Sequence, residues 1–162
     1  MKRILYFLVA VLFVSNLNAE IIKKPIITLN VAKKMADSCL NLAKESDKKI
    51  NIAIYESPGS LKYYASMDGT YPASEEISRL KGKTTAGLPY STDELRDMAF
   101  SNDNPNQGLL TLPTVVLLKG GVPIILKDET HIGGVGVSGA NGEFDKKCAE
   151  EAVKVAKNIM VE

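Results

Sequence analysis

Residues 131–139, HIGGVGVSG, decide how the chain is to be read. Gly134, Gly136 and Gly139 match the G-x-G-x-x-G spacing of a dinucleotide-binding turn. That turn works only between a strand and a helix whose N-terminus faces the pyrophosphate, with a second parallel strand ending in an acidic residue about 20 positions on. Only one helical pattern follows Gly139 in this sequence, so no second strand presents a ribose-binding carboxylate. The stretch reads instead as a strand with Gly134 and Gly136 on one face and Val135 and Val137 on the other, because side chains alternate with period two. A bare glycine face admits a helix, another backbone or a flat ligand at close range.

Working outward, SGANG ends this strand, and from Glu143 onward Phe144, Cys148, Ala149, Ala152, Val153, Ala156 and Ile159 recur at helical spacing. Upstream, TVVLLKGGVPIIL (residues 114–126) reads as a hairpin across Gly120-Gly121. KINIAIYE and LKYYASM, separated by SPGS, read as a second hairpin. Thr28 is a plausible N-cap for an amphipathic helix that lines up Ala32, Met35, Ala36, Cys39, Leu40 and Ala43. ASEEISRLKGKTTAGL and STDELRDMAF supply two more helices, the latter with a Ser91/Thr92 cap and acidic first-turn residues. The polar stretch SNDNPNQGLLTLP is long for a connection and reads as a functional or mobile loop. The order α-β-β-α-α-β-β-β-α, with hairpins where a parallel sheet would need helical crossovers, predicts an α/β (α+β) fold with a five-stranded antiparallel sheet and packed helices.

The first nineteen residues are a different kind of object. Lys2 and Arg3 precede the apolar run ILYFLVAVLFV, and SNLNA ends in a small residue, which together read as a signal peptide over 1–19 with cleavage after Ala19. The run is short for a membrane span, and no comparable run follows. A single domain over 20–162, exported to the periplasm or secreted, is the expectation. This part of the chain carries a formal charge of about −1, with no basic block interleaved with aromatics, so nucleic acid is a poor partner. A domain of roughly 150 residues buries about 70% of its unfolded surface and needs no disulfide framework. Cys39 and Cys148 both fall on apolar helical faces. In an exported chain they are candidates for a disulfide joining the first and last helices.

His131 is the only histidine, and imidazole suits haem iron or a borderline metal, so it is the candidate metal ligand. A solvated turn residue is the plainer reading. Met35, Met67, Tyr63, Tyr64 and Tyr71 carry the remaining haem-ligand chemistry, set against ordinary packing. Ser138 sits in G-x-S-G rather than the G-x-S-x-G of a nucleophile elbow, and no activated nucleophile is evident. Asp68, Lys81 and Thr84 are candidate ligand-binding residues: they flank the expected cleft beside Gly134 and Gly136, where an ammonium or hydroxyl could hold a carboxylate.

GGVPII followed by IGGVGVSGANGEFD, with MDG at 67–69 and ISRLKGKTTA at 77–86, resembles the GlcG/HbpS-type haem-binding family, which includes the C-terminal domain of PduO proteins. Lys81 and Thr84 keep that family's K-x-x-T spacing, whereas Gly82 replaces a usual Ala and Ser66 stands where many members have Arg. The resemblance implies a profilin-like sandwich, self-assembly into homo-oligomers, and haem or a related flat small molecule as ligand. The reading is therefore an exported, non-catalytic binding module lodging its ligand against the glycine strand. The alternatives are an enzyme or accessory protein acting on small hydroxy acids or aldehydes, as in glycolate or diol utilisation, and a purely structural oligomer.

Overall fold

A computed structural model describes residues 24–160; the expected signal peptide over 1–19 lies outside them. The first helix, α1 (Leu29–Glu45), starts where Thr28 accepts a hydrogen bond from the Val31 amide at 3.3 Å, satisfying one of the donors a helix N-terminus leaves free. It buries Val31, Ala32, Met35, Ala36, Cys39 and Ala43 on one stripe, the spacing that made it legible.

Strands β1 (Asn51–Glu56) and β2 (Ser60–Ser66) pair antiparallel across residues 57–59. Helix α2 (Ala73–Gly87) and helix α3 (Thr92–Ala99) follow. At the start of α3, Ser91 and Glu94 form a reciprocal capping box. A 3-10 turn (Gln107–Thr111) occupies the polar connection, and β3 (Gly121–Ile125), β4 (His131–Ser138) and α4 (Gly142–Ile159) complete the chain.

The sheet order is β2-β1-β4-β3, antiparallel throughout, so β1 and β4 are central and β2 and β3 are edges. Helices α1 and α4 cover one face, where Ile52, Ile54, Val135 and Val137 meet Met35, Ala36, Ala149 and Ala152 in the main core. Helix α2 covers the other face, against Ala53 and Tyr55. With both faces covered, β1 is buried almost end to end, and its simple alternation of apolar and polar residues disappears.

The sheet has four strands, not the five expected. Residues 114–118, the proposed first arm of the hairpin across Gly120-Gly121, form no strand, because helix hydroxyls take up their backbone groups. The Thr84 hydroxyl lies 2.9 Å from Thr114 O and accepts from the Val116 amide at 3.0 Å. The Thr92 hydroxyl donates to Leu118 O at 2.6 Å and accepts from the Gly121 amide at 3.0 Å. Ladder bonds to β3 are thereby replaced, and the outer edge of β3 stays open.

Candidate binding groove

Gly134 and Gly136 do share one face of β4, and α2 lies directly on it. A Cβ at Gly136 would fall on Ser78 O and Gly82 N, and one at Gly134 on the Thr85 hydroxyl and the Ala86 amide. Helix backbone therefore occupies the space that a flat ligand against these glycines would need. Gly82 is the matching gap on the helix: a Cβ there would lie 2.9 Å from the Tyr55 ring and 3.1 Å from Gly136 N.

Lys81 and Thr84 are buried on this same helix rather than facing a cleft. Lys81 Nζ donates to Val137 O at 2.7 Å and to Asp145 Oδ2 at 3.1 Å, tying α2 to β4 and α4. Burial pushes the Lys81 ammonium down against the pull of Asp145, and pushes the Asp145 carboxyl up against the pull of Lys81. Thr84 anchors residues 114–116, as described. Asp68 is exposed in the turn after β2, away from both. The structure thus brings Lys81 and Thr84 to one side of the glycine strand and leaves Asp68 outside.

His131 opens β4, half-buried. Its Nε2 lies 2.8 Å from Thr85 O and 2.9 Å from Gly133 O; since carbonyls only accept, that nitrogen carries a proton and has no lone pair for a metal. Cys39 and Cys148 are joined by a disulfide that links α1 to α4, with Cα atoms 4.8 Å apart and both residues fully buried.

A groove of about 610 Å³ with a mixed apolar and charged lining runs along the open edge of β3, within the usual 300–1,000 Å³ of small-molecule sites. Its floor is Val122, Pro123, Ile125 and Val153. Pro123 belongs there because a residue without an N–H is tolerated only on an edge strand. One wall carries Pro89, Ser91 and Glu94 from the start of α3; the other is the polar flank of α4, with Lys146, Glu150, Lys154 and Lys157; Lys127 closes one end.

Lysines outnumber carboxylates in this lining. The Glu94 carboxylate is committed to Ser91, accepting from its amide and hydroxyl at 2.7 Å each. Lys146 is held by Asp93 at 2.6 Å, and that hydrogen bond pushes its ammonium up, so it stays charged. For Asp93, burial acts to raise the carboxyl, but the hydrogen bonds from Lys146 and Ser91 outweigh it and hold the group below the usual range. Among the described residues Lys127 and Lys157 have no ion-pair partner, and Lys154 reaches only a half-buried Glu151 at 3.6 Å.

An apolar floor with free ammonium groups at its rim fits the body and carboxylates of a haem-like molecule. The lining holds no imidazole, thiolate, thioether or phenolate, so it offers haem iron no protein ligand. The sequence carried two signals of this groove: Pro123, which marks an edge strand, and Lys146, Glu150, Lys154 and Lys157 at helical spacing on one flank of the last helix. Neither names the groove alone, since three separate elements build it.

A family model described as HbpS-like, haem degrading protein HbpS-like, matches residues 27–154. An uncharacterized 15.0 kDa protein of the dhaT-dhaS intergenic region of Citrobacter freundii is 33% identical over 132 residues, covering 78% of this chain and 89% of that protein. The crystal structure of the Klebsiella pneumoniae protein ORFY is similar with a TM-score of 0.77 and 26% identity, over 91% of this chain and 100% of that one. The crystal structure of a PduOC–heme complex shares the fold at a TM-score of 0.72 and 20% identity, over 81% of this chain and 95% of the other.

Proposed function

The chain belongs to the HbpS-like family, and from that premise we propose that it is an exported, non-catalytic binding module for haem or a related flat molecule bearing carboxylates. The observation that carries the proposal is the groove beside β3: apolar at its floor, lysine-rich at its rim and of small-molecule size. In this reading Val122, Pro123, Ile125 and Val153 shed water against the ring system, while Lys127, Lys154 and Lys157 pair with the carboxylates. The heme bound by the structurally similar PduOC supports the ligand class. Export is supported by the signal-like residues 1–19 and by a disulfide, a bond that persists in oxidising compartments.

Self-association belongs to the same proposal. A second concavity of about 430 Å³, lined by Phe100, Leu109, Leu110 and residues 115–118, lies among exposed Phe100, Leu110, Leu112 and Leu118, an apolar surface of the sort that marks contact sites.

A titration of the purified protein with hemin, followed at the Soret band, tests the binding reading. Saturation at one haem per chain is expected. The Lys154→Glu, Lys157→Glu double variant should bind at least tenfold more weakly, a loss of about 1.4 kcal/mol or more. Absence of a saturable shift in the wild-type protein would remove haem from consideration.

A further inference from the structure

We infer that the groove recognises its ligand by ring face and carboxylates alone, so that a metal-free dicarboxylic tetrapyrrole binds it as well as haem does. This rests on the proposed function and adds to it a substrate class.

Among the described residues, the donors that could hold iron lie outside the lining of the groove, including Tyr90, which is exposed in the chain between the lining residues Pro89 and Ser91 but does not itself line it. Met35 is fully buried on the inner face of α1, and Met67 and Met160 pack against the main core. Met98 lies on α3 beside a different concavity, with Asp97 and Ser101. Tyr63 and Tyr64 belong to β2, the opposite edge of the sheet from β3, three strand spacings or roughly 14 Å away. Tyr71 hydrogen-bonds Ser138 at 3.3 Å, and Tyr55 is buried under α2. His131 commits its Nε2 to two carbonyls and is absent from the lining of the groove. Both cysteines are in the disulfide.

What faces the ligand is chemically different. Lys146 stands 2.6 Å from Asp93, and a protonated ammonium so paired has no lone pair to give a metal. Lys127, Lys154 and Lys157 are exposed ammonium groups suited to carboxylates. Glu94 is turned into its capping box, and Glu150 lies between Lys146 and Lys154 on the helix flank, 3.9 Å from the former. Iron at the centre of a bound ring would therefore contribute nothing that the protein reads. The two carboxylates and the ring faces would contribute nearly everything.

The experiment compares hemin with protoporphyrin IX on the full chain, the first by Soret absorbance and the second by porphyrin fluorescence. Dissociation constants within about threefold of one another are expected for the wild-type protein and for His131→Ala. Both ligands should weaken together, at least tenfold, in Lys154→Glu, Lys157→Glu, two exposed positions whose substitution leaves the core intact. Saturable hemin binding with protoporphyrin IX bound tenfold or more weakly would overturn the inference while leaving the proposed function standing, as would loss of hemin binding in His131→Ala alone. Binding of both ligands unaffected by the lysine substitutions would overturn the placement in this groove. Failure of both ligands to bind would overturn the proposed function, and this inference with it.

Discussion

Gly136 shows how a single residue sets the distance between two layers. Its missing side chain lets α2 rest on β4 with Ser78 O and Gly82 N in the space of a Cβ, and both belong to rigid backbone that cannot yield as a side chain tip does. Gly136→Ala is expected to destabilise the protein by about 3 kcal/mol, at the upper end of what overpacking costs, read as a lower denaturation midpoint. Gly87 is the control. It ends α2 in open, exposed space and lacks a positive φ, so Gly87→Ala should be neutral or stabilise by up to about 1 kcal/mol in the same assay. Equal losses at the two positions would refute the argument from close approach. At this scale the sequence was half legible: the glycine face was visible from the alternation, and helix packing was one of its three readings. That it had to be α2, and that Gly82 would be its counterpart, depended on a pairing of distant segments that no local pattern encodes.

Among elements, the buried pair Lys81–Asp145 links α2, β4 and α4, with both side chains about 3% exposed. Burial works against each charge and outweighs the attraction between them, so the pair is a device of geometry more than of stability. Lys81→Met alone is expected to cost about 3–5 kcal/mol, because Asp145 is left charged and buried with only the Ala140 amide at 3.2 Å. Lys81→Met with Asp145→Leu should recover most of that loss in urea denaturation; a double variant as unstable as the single one would show that the charges themselves stabilise the fold. The K-x-x-T spacing singled out Lys81 and Thr84 as candidate ligand-binding residues beside a cleft, and the fold places both of them inside. Lys81 ties three elements together, and Thr84 diverts residues 114–116 from the sheet. The missing fifth strand has the same cause. An apolar, β-branched run such as TVVLL satisfies every local criterion for a strand, and hydroxyls on two neighbouring helices decide otherwise.

For the whole molecule, the first and last helices lie side by side and are joined by Cys39–Cys148 across a separation of 109 residues. Removing the bond with Cys39→Ala and Cys148→Ala should lower stability by about 2–5 kcal/mol, the chain-entropy expectation for so long a loop being near the top of that range. Thermal unfolding of the oxidised protein and the double variant measures it. A difference under about 1 kcal/mol would mean that the helix pair holds without help from the link. The groove, too, exists only at this scale, since its floor is an edge strand and its walls come from residues 89–94 and 146–157, well separated from that strand along the chain on either side.

The open edge of β3 has one more consequence. Unpaired backbone groups on an outer strand are a template on which a second chain can continue the sheet, and a protein with such an edge can polymerise through it. Here Pro123 removes a donor from the middle of that edge, and Lys127, Lys146, Lys154 and Lys157 crowd the approach with like charge that an identical strand would have to bring close. The features that make the groove hospitable to a small dianion are thus also the ones that keep the protein from adding copies of itself there without end.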